Sequence, residues 1–174
     1  MIVWIDGANG VGKSHVATDL AAILADKSAE YLESDLYWDE LIQNDSGKNI
    51  SGCNPYYDEY FLGVFRKVIE EKHNSGKMPV ISMSLVYGLC ERELLDYFKK
   101  KEVSMLHIIL EAKKETIISR IENDLGRDEN VQEEQKKRVS RHIEYLETHY
   151  PDAVRILTDD KSSIEIVNEI RMLL

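Results

Sequence analysis

The sequence predicts an α/β fold in three layers, a parallel sheet with helices on both faces. Three observations predict it. Short apolar runs rich in β-branched residues alternate with longer stretches whose apolar residues recur at helical spacing. A glycine-rich turn joins the first such run to the first helical stretch with nothing between them. The 174 residues contain no internal repeat and no Pro/Ser-rich linker, so residues 1–174 read as a single domain with one core.

The elements follow in order. Ile2 to Ile5, ended by Asp6-Gly7, reads as a buried strand. From Lys13 a helix follows, with Val16, Leu20, Ile23 and Leu24 on one face. Tyr31-Leu32-Glu33 is a short second strand. After Pro55, Phe61, Val64, Phe65 and Val68 mark a helix that ends near the turn signal Asn74-Ser75-Gly76. Residues 79–83, 105–110 and 154–157 supply the third, fourth and fifth strands. Helices are expected at 91–100, 113–123, 132–148 and from Ser162 onward, where Ile166, Ile170 and Leu173 repeat. Strands alternating with helices imply right-handed crossovers and a covered parallel sheet. Two segments read as surface loops or flaps rather than core: residues 36–58, polar and aromatic, and residues 122–138, where acids and bases run together.

Charge narrows the function classes. With 32 Asp and Glu against 22 Lys and Arg, the net charge is -10. A duplex-binding protein gains affinity from Lys and Arg that displace counterions, so no nucleic-acid partner is expected. An anionic membrane is no better a partner, and no apolar run approaches the ~18 residues of a span. Cys53 and Cys90 lie far apart without a ligand cluster, which favours a reducing, cytoplasmic setting. None of His15, His73, His107, His142 and His149 shows metal-ligand spacing, and all five read as ordinary core or surface residues. Any phosphate must therefore be gripped by a local device.

That device is Gly7-Ala8-Asn9-Gly10-Val11-Gly12-Lys13-Ser14, which satisfies G-x-x-x-x-G-K-[ST] between a strand and a helix. Glycines let backbone N–H groups face phosphate oxygens, and the helix N-terminus adds partial positive charge. Lys13 reaches the β and γ phosphates, and the Ser14 hydroxyl ligates Mg²⁺. ATP and Mg²⁺ are the expected cofactors, with contacts running from Gly7 through Ser14 to His15.

In an open parallel sheet, ligands sit beyond the carboxyl ends of the strands. This gathers Glu33-Ser34-Asp35, the segment Ser82 to Tyr87, Glu111, and Thr158-Asp159 around the grip. A phosphoryl acceptor needs a carboxylate to orient and deprotonate its hydroxyl. Asp35 is the first candidate, with Glu33 and then Asp6 as substitutes; the competing role for Asp35 is to cap a helix beginning at Leu36. Residues 79–90 offer Ser82 and Ser84 but no carboxylate for a metal. Arg120, Arg127, Arg138 and Arg141 are candidates to stabilise transferring phosphate; Arg141 is favoured because Val139, Ile143 and Leu146 form the buried stripe of its helix. Tyr37, Trp38, Tyr56, Tyr57 and Ser84 are candidate walls of an acceptor pocket.

The stretches Ile2 to Ser14, Pro79 to Leu85, Leu110 to Arg120, Arg141-His142-Ile143-Glu144 and Thr158-Asp159 together resemble the P-loop small-molecule kinases, the group of shikimate kinase, adenylate kinase and chloramphenicol phosphotransferase. Within that group the chain is most similar to the tunicamycin-resistance family. The resemblance implies a five-stranded sheet in the order 2-3-1-4-5, and an adenine seat near Arg120 and the Thr158-Asp159 loop. It also implies an arginine-bearing lid over residues 122–141, opposite an acceptor region at 36–75. It matches Asp35 to the residue that handles the acceptor, although Glu33 can hold that position. From Tyr31 to Phe65 the only basic residue is Lys48, against seven acids, so the expected acceptor is a neutral or cationic hydroxyl compound: a nucleoside, an aminosugar or an antibiotic. Arg66 and Arg92 would undercut this if they reached the acceptor. The expected activity is transfer of the γ-phosphoryl group of ATP by a monomer or homodimer; the alternative is ATP-dependent sequestration of a ligand with slow hydrolysis.

Overall fold

The computed structural model describes residues 1–44, 54–126 and 128–174. Five parallel strands, β1 (Ile2–Gly7), β2 (Ala29–Glu33), β3 (Met78–Ser82), β4 (Met105–Glu111) and β5 (Val154–Leu157), form one sheet in the order β2-β3-β1-β4-β5. The central strand β1 is buried along its whole length, as a strand covered on both faces must be, and its Val3 and Ile5 face β3 at Val80 and Ser82. The edge strands β2 and β5 are only partly buried.

Helices α1 (Lys13–Ile23) and α8 (Ser163–Arg171) pack on one face of the sheet, where Val16, Leu20, Val167 and Ile170 join Val3, Ile5 and Ile108 in one apolar cluster. On the other face α3 (Glu59–Asn74) brings Phe61, Leu62, Phe65 and Ile69 against Ile2, Trp4 and Ile81. Asp58 starts α3 by accepting from the Phe61 N–H at 2.8 Å, and Ser162 starts α8 with a reciprocal capping box to Glu165. The expected helix at 91–100 begins earlier and is not uniform. It runs through α4 (Gly88–Cys90), a π-helical stretch Glu91–Leu95 and α5 (Asp96–Lys100). Helix α6 (Lys114–Glu122) leads to α7 (Glu129–His149), a 21-residue helix that buries Val139, His142 and Leu146.

One expectation fails here. Residues 36–44 are not loop: α2 (Ser34–Asn44) follows β2 directly and turns Trp38 into the core, 7% exposed and edge-on to Phe61 at 5.3 Å. Tyr37 packs on Phe65 at 5.4 Å. The polar composition concealed this because only one stripe of α2 faces inward. Residues 45–53, including Lys48 and Cys53, lie outside the described residues, as does Arg127. Cys90 is buried, its thiol pushed up to about 12, first by burial and then by Asp6. Among the described residues no helix is long and apolar enough to cross a membrane.

Candidate functional site

At the carboxyl end of β1 the chain must turn sharply and present its amides, and two glycines make this possible. Gly7 has φ +143°, and a Cβ there would lie 2.7 Å from the Leu110 carbonyl oxygen. Gly12, at φ 108°, caps α1 in the left-handed region without a side chain. Lys13 folds over the turn, its Nζ donating to the carbonyls of Gly7 and Ala8 at 3.1 Å each. The turn is braced from the segment after β3, since Ser84 Oγ donates to the Gly7 carbonyl at 2.8 Å and lies 3.2 Å from Asn9 Oδ1.

Asp6 serves the same bracing. Its Oδ1 accepts from the N–H groups of Gly7 at 2.6 Å and Leu85 at 3.0 Å, while Oδ2 lies 3.0 Å from His107 Nε2. Fully buried behind the turn, it does not open into the cleft, which removes it from the candidate bases.

The cleft itself has a volume of about 550 Å³ and is bounded by residues 9–16 of the glycine-rich turn, Glu33-Ser34-Asp35, Tyr56, Ser82-Met83-Ser84, Arg120, Thr158 and Lys161. Register explains the meeting of the two halves. Glu33 pairs with Ser82, and Ser82 with Ile5, so the ends of β2, β3 and β1 are level. Ser14 Oγ and Ser82 Oγ are 3.3 Å apart. Tyr31, two residues before Glu33 on the same strand face, donates its hydroxyl to the Glu33 carboxylate; burial first, then that carboxylate, pushes the phenol above its ordinary range, so it remains a donor. Residues 79–90 carry no carboxylate, and Glu33 at the end of β2 lines the same cleft as Ser14. The oxygens of Ser14, Ser82 and Glu33 form a hard-donor set that suits Mg²⁺.

Asp35 lies in the first turn of α2, exposed and open to the cleft, and not at a cap position because the helix already starts at Ser34. Tyr56 stands opposite. Burial, followed by Asp35, raises its phenol above the usual range, which places the Tyr56 hydroxyl in the field of Asp35. At this end the described lining carries two acids and, apart from Lys13 of the turn, no Lys or Arg. Arg66 is bound to Glu93 at 2.8 Å and lies over the Tyr97 ring; Arg92 pairs with Glu93 and Glu59. Neither enters the cleft.

Several expected residues occupy other places. Tyr37 and Trp38 belong to the core rather than to the cleft wall. Asp159 accepts from the Lys113 N–H at 3.0 Å and the Thr116 hydroxyl at 2.6 Å, which tethers the start of α6; the Thr116 bond leads in holding its carboxyl below the usual range. Arg141 is outside the cleft, with Nη2 donating to the Tyr87 hydroxyl at 2.9 Å, and Tyr87 in turn packs on Tyr56 at 5.7 Å. Arg138 pairs loosely with Glu134 at 3.8 Å. Arg120 does reach the cleft, where Nη1 donates to the Val11 carbonyl and Thr158 Oγ1, both at 2.9 Å, and Nη2 to the Thr158 carbonyl at 3.0 Å. His15 borders the cleft as an exposed residue.

Sequence reasoning missed Gln135, Asp124 and Lys161, which line the cleft, and did not single out His142, a buried residue of α7 outside it. The signal for His142 was present. It falls in phase with Val139 and Leu146, so a helix burying those two must bury it as well.

No protein-family model matches the chain, and no curated protein matches it in sequence. Solved structures match it in fold. The tunicamycin resistance protein of Deinococcus radiodurans superposes with a TM-score of 0.74 at 19% identity, covering 99% of this chain and 94% of that one. A shikimate kinase from Bacteroides thetaiotaomicron gives 0.66 at 16% identity, covering 99% and 97%. The APS kinase of Mycobacterium tuberculosis, bound to AMPPNP and APS, gives 0.62 at 16% identity, covering 99% and 95%. The five-stranded sheet in the order 2-3-1-4-5 with helices around it is the fold of these P-loop kinases.

Proposed function

We propose that the protein is an ATP-dependent kinase that transfers the γ-phosphoryl group to a hydroxyl of a neutral or cationic small molecule. The observation that carries this reading is one cleft in which the glycine-rich turn, with Lys13 and Ser14, faces Glu33 and Asp35.

The amides of residues 9–14 and Lys13 hold the phosphates. Ser14 and Glu33 are the residues that would hold Mg²⁺, which when bound neutralises phosphate charge. Arg120 has its N–H edge fixed by Val11 and Thr158, which leaves the flat guanidinium to border the base. Asp35 orients the acceptor hydroxyl and takes its proton as the new P–O bond forms and the bond from the γ phosphorus to the bridging oxygen breaks, leaving ADP. Residues 122–141 would serve as a lid. The acids Glu33 and Asp35 with no free clamp from Arg66 or Arg92 support a neutral or amino-bearing acceptor over an anionic one.

The test is mass spectrometry of a panel of nucleosides, aminosugars, antibiotics and nucleoside monophosphates incubated with Mg-ATP. A mass gain of one phosphoryl group on a neutral or cationic member supports the reading. Transfer confined to nucleoside monophosphates overturns the acceptor class; ligand-dependent ATP affinity with no product in any arm would instead favour sequestration. Lys13→Ala should abolish ATP affinity, and Asp35→Asn should lower turnover about 100-fold or more with ATP affinity retained.

A further inference from the structure

Behind the glycine-rich turn, four residues from distant parts of the chain close a ring of contacts. Asp6, at the end of β1, is fully buried, and a carboxylate in the core must have its oxygens met by donors. Its Oδ1 accepts from two N–H groups, that of Gly7 at 2.6 Å and that of Leu85 at 3.0 Å, and its Oδ2 meets His107 Nε2 at 3.0 Å. An ionised carboxylate offers only lone pairs, so Nε2 carries the hydrogen of that contact. The Leu85 carbonyl is held by the Tyr150 hydroxyl at 2.6 Å, and the Tyr150 ring stands edge-on to His107 at 5.0 Å. Strand register builds the ring: Trp4 pairs with His107, and Asp6, two residues further along β1, shares the face of Trp4. Tyr150 directly follows α7, so the ring ties the end of that helix to the start of the turn.

Neither His107 nor Tyr150 borders the cleft, yet both bear on the phosphate grip. Gly7, whose N–H Asp6 holds, turns its carbonyl to Lys13 Nζ at 3.1 Å and Ser84 Oγ at 2.8 Å. Ser84 is the residue before Leu85, whose N–H and carbonyl the ring clamps. At φ +143° Gly7 has no side chain to anchor it, so these hydrogen bonds set how it sits. We propose that His107 and Tyr150 are positioning residues for phosphate binding. His107 holds Asp6 Oδ2 and so keeps Oδ1 on Gly7 and Leu85; Tyr150 holds Leu85 and with it Ser84; together they fix the turn that carries Lys13 and the phosphate-facing amides. The proposal rests on the nucleotide-binding reading above and adds to it two residues outside the cleft. A buried carboxylate oxygen left without its donor is costly, and the carboxylate turns to recover one at the expense of the Gly7 bond.

The experiment is isothermal titration of the full chain with a non-hydrolysable ATP analogue and Mg²⁺, well below the melting temperature of each protein, comparing wild type with His107→Leu, His107→Gln and Tyr150→Phe. His107→Leu removes the N–H and should bind the analogue about tenfold more weakly. His107→Gln, whose amide keeps an N–H in reach of Asp6, should return affinity to within about threefold of wild type. Tyr150→Phe keeps the ring and loses the hydroxyl, and should weaken binding about threefold or more. The double variant His107→Leu with Tyr150→Phe should lose less than the product of the two, because both act on Asp6 and Leu85. A ring that serves stability alone would lower the melting temperature and leave the affinity of the folded variants at the wild-type value, which overturns the proposal. His107→Gln binding no better than His107→Leu removes the hydrogen bond as its means. Should His107→Leu not fold, Tyr150→Phe decides, and wild-type affinity there overturns the proposal. A wild-type chain that binds no nucleotide overturns it together with the kinase reading, whereas nucleotide binding undiminished in the variants overturns this proposal alone.

Discussion

Trp38 shows how a side chain's role is set by helix phase rather than by its own chemistry. It is next to Tyr37 and three residues after Asp35, and in a loop all three would be free to face a substrate. Because α2 begins at Ser34, whose hydroxyl donates to the Ser82 carbonyl at 3.3 Å, Asp35 points to the cleft and Trp38 to Phe61. Trp38→Ala should therefore cost about 3–5 kcal/mol of stability in a denaturant titration, with nucleotide affinity of the folded protein unchanged. A loss of affinity at constant stability would return Trp38 to the cleft wall. The residues whose place in the cleft the sequence anticipated, Lys13 and Ser14 above all, belong to a motif whose geometry is local, eight residues between a strand and a helix. Asp35 was legible because the end of a strand is a fixed place in a parallel sheet. The levelling of Glu33 with Ser82 at the strand ends was not, since it depends on the β2–β3 register.

Element starts carry a similar lesson. The strands were legible to within a residue or two because buried parallel strands are runs of apolar side chains, as β1 is along its whole length and β4 over its second half. The π-helical stretch Glu91–Leu95 had no sequence signal. The start of α6, expected at 113 and found at Lys114, was legible, but what holds it was not, because the N-cap residue Lys113 makes no side-chain cap. Asp159 does the capping from 46 residues away, through the Lys113 N–H and the Thr116 hydroxyl. It was expected at the nucleotide, and its neighbour Thr158 is indeed in the cleft, but the carboxylate turns the other way. Asp159→Ala should lower unfolding free energy by about 1 kcal/mol, read as a shifted urea midpoint at constant slope. Thr116→Val should lose part of the same amount, and the double variant less than the sum of the two, because both changes remove one shared interaction. Full additivity would mean that Asp159 and Thr116 act separately.

At the scale of the whole molecule, net charge and one buried histidine make opposite demands on stability as pH falls. The chain carries -10 near neutrality and has a pI near 5.0, so acidification toward pH 5 removes repulsion between carboxylates and should stabilise the compact state. His142 acts against this. Its folded-state value of about 4 lies below the ordinary 6.5, so between those two values the unfolded chain binds more protons than the folded one. Its contribution is complete above about 6.5 and is lost as pH falls toward and through 4. The melting temperature of the nucleotide-free wild type should consequently fall from pH 6.5 to pH 4.5, while that of His142→Leu, which keeps the same charge at pH 7, should stay level or rise as far as pH 5. Parallel profiles for the two proteins would show that the ring protonates in the folded state as readily as in the unfolded one, against the burial of His142 that lowers it first of all.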